Sequence, residues 1–136
     1  MVKRKPKREC RRLTILRSKN LKLAKAKADR YFSKYIRQRD IDKPCITCGK
    51  YTDQKDCGHF ISRRFEPVRF DENNAHGQCL KCNRFEYGNQ FEHGKHIDKM
   101  YGDGTSEKIL LKSKMFSKRN IDDYERIAEY YKNKLK

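Results

Sequence analysis

Ala28, Tyr31, Phe32, Tyr35 and Ile36 recur at the three- and four-residue spacings of a single helical face, and the stretch from Asp40 to Pro44 closes that helix. The aromatic stripe reads as core rather than as a platform for bases. From Ile46 to Phe60 the pattern is short and turn-rich, suited to a knuckle followed by a strand that ends near His59. Residues 61–73 form a basic loop in which Arg63, Arg64 and Arg69 alternate with Phe65 and Phe70, and Asp71, Asn73 and Asn74 mark a turn at its end. A helix is expected to begin beyond Cys82 and run toward Gly88. Three more helical patterns follow at 90–101, at 105–116 after Gly102-Asp103-Gly104, and at 122–135. In the last, Tyr124, Ile127, Ala128, Tyr131 and Leu135 share one face and Asn120 or Asp122 supplies the cap. The pattern predicts an α+β chain, with a small β-containing centre flanked by an N-terminal helix and C-terminal helices.

The hydrophobic fraction is 35% in 136 residues, against roughly 45–50% for ordinary globular chains. A large self-sufficient core is excluded, and small domains short of apolar burial commonly rely on a metal. The net charge of +17 is uneven: residues 1–27 hold twelve Lys or Arg against the single acid Glu9, leaving +6 for the remaining 109. Lysines and arginines at that density displace counterions from a polyphosphate backbone, so nucleic acid is the expected partner. Lys3, Arg4, Lys5, Lys7, Arg8, Arg11 and Arg12 are the expected contacts, on an arm, residues 1–20, that is disordered or marginally helical by itself. The charges have no apolar face opposite them, which argues against a membrane surface. With no apolar run near 18 residues and no signal sequence, a membrane span is excluded and a cytoplasmic location is expected.

Cys45-Ile46-Thr47-Cys48 and Cys79-Leu80-Lys81-Cys82 are separated by thirty residues. Each Cys-x-x-Cys turn presents two thiolates on one side of a tight loop, and two such turns supply the four tetrahedral sulfurs of a structural Zn²⁺. Disulfides would require an oxidising compartment that nothing here suggests. A four-cysteine zinc is coordinatively closed, so hydrolytic chemistry must come from groups around it. His59, neutral near pH 7, suits a general base that takes a proton from attacking water. Arg63 and Arg64 follow it, where a guanidinium fork can clamp a phosphate. His76 can orient Asn74 or a phosphate, or make a turn-stabilising hydrogen bond. His93 and His96, spaced i,i+3, read as surface residues rather than a metal pair. Cys57 reads as a small buried strand residue and Cys10 as a thiol in the arm.

The string CGHFISRRFEPVRFDENNAHGQCLKCNRFEYGN, Cys57 to Asn89, resembles the HNH or His-Me finger nucleases. It is most similar to the phage NinG/Rap recombination family, with its Gly-His, Ser-Arg and Asn-x-His-x-Gln-Cys-x-x-Cys-Asn pattern. Similarity continues in ADRYFSKYIRQRD, Ala28 to Asp40, so residues 28–90 carry it. The resemblance implies a zinc-stapled ββα-metal centre with His59 as general base, Asn74 as the asparagine that braces the base-bearing loop, and Asn83 as a ligand of a catalytic Mg²⁺ or Mn²⁺. The endonuclease VII type of junction resolvase places an asparagine in the same way. Where many HNH enzymes have a second metal ligand, just before the base, this chain has Gly58; Asp56 is the substitute. Strand alternation puts Asp56 on the face opposite His59 unless a bulge intervenes.

The expected function is metal-dependent hydrolysis of DNA, with branched recombination intermediates such as Holliday junctions or D-loops as implied substrates. A non-catalytic zinc module that binds nucleic acid and a restriction- or homing-type HNH endonuclease are the alternatives. The expected organisation is an arm at 1–20, a nuclease core at 21–102 and a helical extension at 103–136, with a possible dimer through the C-terminal helices.

Overall fold

The computed structural model describes residues 6–136; Lys3, Arg4 and Lys5, expected to contact DNA, lie outside them. Helix α1 (Lys7–Arg39) contains no glycine or proline to interrupt it. Ala24, Ala28, Phe32 and Ile36 are its buried residues, and every described residue before Ala24 is exposed. The helix crosses residue 20 without a break, so the described part of the arm forms its first turns. Its C-terminus is anchored by Asp40. The Arg39 guanidinium donates to both Asp40 carboxylate oxygens at 2.8 and 2.7 Å, and to the backbone oxygens of Glu72 and Ala75 at 3.0 and 2.8 Å. The Gly77 N–H adds a 2.9 Å bond to the same carboxylate.

Strand β1 (Lys55–His59) pairs antiparallel with β2 (Ala75–Cys79) from Lys55↔Cys79 to His59↔Ala75. β2 is buried along its whole length, while β1 leaves one edge unpaired in this two-stranded sheet. The helix expected beyond Cys82 is a single π-helical turn, Lys81–Phe85. It is followed by α2 (Gln90–Tyr101), α3 (Thr105–Ser113) and α4 (Ile121–Lys134). Asn120 caps α4 through a capping box: its side chain accepts from the Asp123 N–H at 2.9 Å and Asp123 accepts from its N–H at 2.8 Å.

The C-terminal helices share the core of the rest. Tyr124 and Ala128 pack on Ala24 and Ala28, Tyr131 packs with Phe32, Ile36 and Ala75, and Ile109 joins Ile61, Val68 and Ile97. Nothing in this packing marks a boundary at 103. The apolar face of α4 is covered by α1 of the same chain. Glu66 stitches the 61–73 loop to both helices: its carboxylate accepts from Tyr124 Oη at 2.6 Å and Arg119 at 3.0 Å and pairs with Lys25 at 3.1 Å.

Two histidines read as orienting or surface residues form a buried chain instead. His76 Nδ1 lies 3.1 Å from His93 Nε2, and His76 Nε2 lies 2.9 Å from Tyr101 Oη. His93 is fully buried because α2 lays it against β2 and the Phe60 ring. His96 is half-buried and hydrogen-bonds the Glu92 carbonyl at 2.7 Å. Burial pushes the His76 pKa down to about 4 and the His93 pKa to about 3. The unfolded chain takes up these protons near pH 6.5 and the folded chain does not, so their stability contribution is complete above pH 6.5 and is lost as pH falls toward 4. The shift at His76 alone corresponds to about 3 kcal/mol. Thermal melts are expected to show Tm dropping between pH 6.5 and 4.5, with a shallower drop in His93→Gln; equal slopes would contradict this account.

Candidate functional site

The Cys45, Cys48, Cys79 and Cys82 sulfurs all lie within 4.8 Å of one another. Cys48 Sγ and Cys79 Sγ are 3.8 Å apart, the edge of a tetrahedron whose metal–sulfur bonds are about 2.3 Å, and far beyond a disulfide bond of about 2 Å. The four cysteines can therefore hold a metal ion such as zinc. The thiolate is favoured at Cys45, where, although burial opposes it, the Cys48 backbone N–H, the Thr47 hydroxyl at 3.2 Å and the Cys79 N–H at 3.3 Å bring the pKa down to about 6, whereas burial raises the pKa of Cys48 and Cys82. Three of these cysteines are buried and Cys48 is exposed. The cluster joins the knuckle before β1 to the end of β2 and the turn that follows it.

A cavity of about 580 Å³ opens along the free edge of β1, between α1 and the segment after β2. Asp56, Cys57, His59, Arg63 and Asn83 all line it. Asp56 and His59 both line it although strand alternation separates them, because the cavity straddles the strand edge and touches both faces. No bulge is needed; the register is regular. Gly58 has no room for a ligand side chain, since a Cβ would stand 1.8 Å from Gln78 Oε1. Cys57 faces α1, where burial raises its pKa to about 12 and keeps it a thiol.

The His59 ring is held in one orientation. Its Nε2 lies 3.0 Å from the Arg69 carbonyl oxygen; a carbonyl only accepts, so Nε2 carries the proton and Nδ1 keeps its lone pair. Burial lowers the His59 pKa, so the ring is neutral at pH 7, and Phe32 packs against it with centroids 5.9 Å apart. The loop supplying that carbonyl is braced by Asn74, which is fully buried. Asn74 Oδ1 accepts from the Ile61 N–H at 2.8 Å, and Nδ2 donates to the Ile61 and Val68 carbonyls at 2.9 and 3.0 Å. Across the cavity, the Asp56 carboxylate accepts from Asn83 Nδ2 at 2.9 Å and from Arg84 at 2.7 and 2.9 Å, which holds its pKa below the usual carboxylate range.

A family model described as Bacteriophage Lambda NinG protein matches residues 2–136. The chain belongs to the NinG family. The match reaches past residues 28–90, where the sequence resemblance is strongest, into the arm and the C-terminal helices. Protein ninG of Escherichia phage lambda is 34% identical over 104 residues, 75% of this chain and 50% of that protein. Protein ninG of Escherichia phage 933W and of Salmonella phage P22 are each 49% identical over 57 residues, 40% of this chain and 28% of those proteins. The chain thus spans at most about half the length of these relatives. No solved structure matches the chain.

Not every arginine expected at the phosphate is free to reach one. Arg69 is buried: its guanidinium pairs bidentately with Asp29 of α1 and donates to the Arg63 carbonyl at 2.7 Å. It is a brace that fixes the carbonyl bonded to His59, not a DNA contact. Arg63 remains exposed on the cavity rim with its guanidinium 4.0 Å from Asp29. Arg64 is exposed and lies outside the cavity lining. Lys7, Arg8, Arg11 and Arg12 lie along the exposed start of α1. The sequence reading missed the helical wall of the site in this NinG family member, Asp29, Ser33 and Arg37. The signal was present, because these positions recur every four residues one step beyond the core positions Ala28, Phe32 and Ile36.

Proposed function

We propose that this chain is a metal-dependent DNA endonuclease that hydrolyses phosphodiester bonds, with branched recombination intermediates as substrate. The observation that carries the reading is His59: a neutral, oriented imidazole with an unprotonated Nδ1 in the cavity that also holds Asp56, Asn83 and Arg63. A ring fixed in that tautomer accepts a proton from water, and Arg63 offers a charged fork to the phosphate beside it. Asn74 and Arg69 act through the loop, holding the Arg69 carbonyl on Nε2 so that the basic nitrogen is always Nδ1.

Asp56 and Asn83 fit a hard cation. The Asn83 amide nitrogen sits 2.9 Å from Asp56 Oδ2, and turning the amide over exchanges nitrogen for oxygen. Two oxygens then stand close to the roughly 3 Å edge of an octahedron with Mg–O bonds of about 2.0–2.1 Å. Mg²⁺ or Mn²⁺ held there would supply positive charge to the phosphate and leaving oxygen. The cysteine cluster is read as structural Zn²⁺, closed to substrate and fastening the walls of the cavity. The preference for branches rests on the family resemblance. No helix among the described residues is long and apolar enough to cross a membrane, and the host cytoplasm, where phage DNA recombines, is the proposed location.

The test is cleavage of a labelled four-way junction and a matched linear duplex in Mg²⁺, Mn²⁺ or EDTA. Divalent-dependent cutting that prefers the junction is expected; binding without cutting under every metal would mark a non-catalytic zinc module, and strong cutting at defined duplex sites a restriction- or homing-type enzyme.

The arm has a separate expected signature. Deleting residues 1–20 should weaken binding to every DNA alike and flatten the salt dependence of affinity by about one unit of slope per lost phosphate contact. An unchanged slope, measured by fluorescence anisotropy across a salt series, would assign the arm to another partner.

A further inference from the structure

The residue after Asn83 points to how the metal site is kept before its ion arrives. We infer that Arg84 is a built-in cation that occupies the Asp56 carboxylate and competes with a divalent ion for it, an inference that rests on the metal-site reading above.

Arg84 Nε donates to Asp56 Oδ2 at 2.7 Å and Nη2 to Oδ1 at 2.9 Å, a two-pronged pairing that engages both carboxylate oxygens. Asn83 Nδ2 adds a third donor on Oδ2. Together these donors take three of the carboxylate's four lone pairs, leaving one on Oδ1, and the Asn83 amide turns its nitrogen rather than its oxygen toward the site. An ion bonded at about 2.1 Å to Asp56 and guanidinium hydrogens on the same lone pairs exclude each other. Freeing both carboxylate oxygens for an ion involves two changes: the guanidinium leaves and the Asn83 amide turns over.

The surroundings make the exchange feasible in that direction. The Arg84 side chain is 60% exposed while that of Asp56 is 20% exposed, so the arginine can return to water and the carboxylate stays where it is. Asp56 lies in the wall between two depressions. His59 and Asn83 line the one described above; Arg84 lines a second, of about 480 Å³, with Arg37, Ile41 and Leu80. Arg84 thus reaches the carboxylate from the outer side and can withdraw into that space without crossing the cavity of His59. Its position in the π-helical turn directly after Asn83 links the two changes through one backbone.

The experiment is titration of the full-length, zinc-loaded protein with Mn²⁺ in the absence of DNA, following free Mn²⁺ by electron paramagnetic resonance. Arg84→Gln is expected to bind Mn²⁺ about 3- to 10-fold more tightly than the parent at low salt, as loss of a partly exposed competing ion pair allows. Arg84→Lys, which keeps the charge without the fork, should fall between them, and added salt should narrow the gap. Asp56→Asn should abolish the same site. Equal or weaker Mn²⁺ binding in Arg84→Gln, with binding still dependent on Asp56, would overturn the role of Arg84 and leave the metal site intact. Absence of Asp56-dependent binding in both the parent and Arg84→Gln would overturn the metal site and this inference with it.

Discussion

His59→Ala is expected to lower the single-turnover cleavage rate by about 10²- to 10⁴-fold while leaving DNA affinity nearly unchanged. In the proposed role the imidazole accepts a proton rather than holding DNA: Nε2 is engaged by the Arg69 carbonyl and the ring leans on Phe32. The proposed phosphate contacts are Arg63 and the basic start of α1, which the substitution does not touch. The substitution also removes a mostly buried ring, so circular dichroism and thermal melts must accompany the kinetics. A readout specific to a lost base is rescue by added imidazole, which can enter the space the ring vacates. Loss of DNA affinity in proportion to loss of rate would contradict the division of roles.

The second large effect is on folding. Cys48→Ala or Cys79→Ala, or stripping the metal with a strong chelator, should unfold the segment from the first cysteine pair to the π-helical turn. Structural zinc in small domains supplies about 10–16 kcal/mol of apparent binding free energy, comparable to or above the whole stability of an ordinary domain, about 5–15 kcal/mol. The clusters around Ala24, Ala28, Tyr124 and Ala128 do not involve the cysteines, so contact between α1 and α4 should outlast the loss. Far-UV circular dichroism should then show partial loss of structure, with about one zinc equivalent released to a chromophoric chelator. Retention of the full thermal transition after complete metal removal would contradict the structural role.

What the sequence made legible follows from the kind of signal each feature carries. The α1 core stripe and α4 with its Asn120 cap were readable because helical periodicity and capping are local. The cysteine cluster was readable because two identical spacings fix the local geometry of each half and leave only their meeting to the fold. Arg69 and His93 were misplaced for one shared reason. Each is polar, and its burial depends on a partner distant in the chain, Asp29 for the arginine and His76 for the histidine. The sharing of one cavity by Asp56 and His59 was obscured differently, since alternation describes the faces of a strand and not an open edge. The arm was read from its charge, which opposes collapse, whereas its uninterrupted helix-forming residues carried α1 through residue 20.

The most direct measurement is single-turnover cleavage of a labelled four-way junction at saturating protein, comparing the parent and His59→Ala in Mg²⁺ and in EDTA. The account predicts cutting by the parent in Mg²⁺ alone, with His59→Ala bound to the junction but slowed at least about 100-fold. Cutting by His59→Ala at the parental rate, or no cutting by the metal-loaded parent, would contradict it.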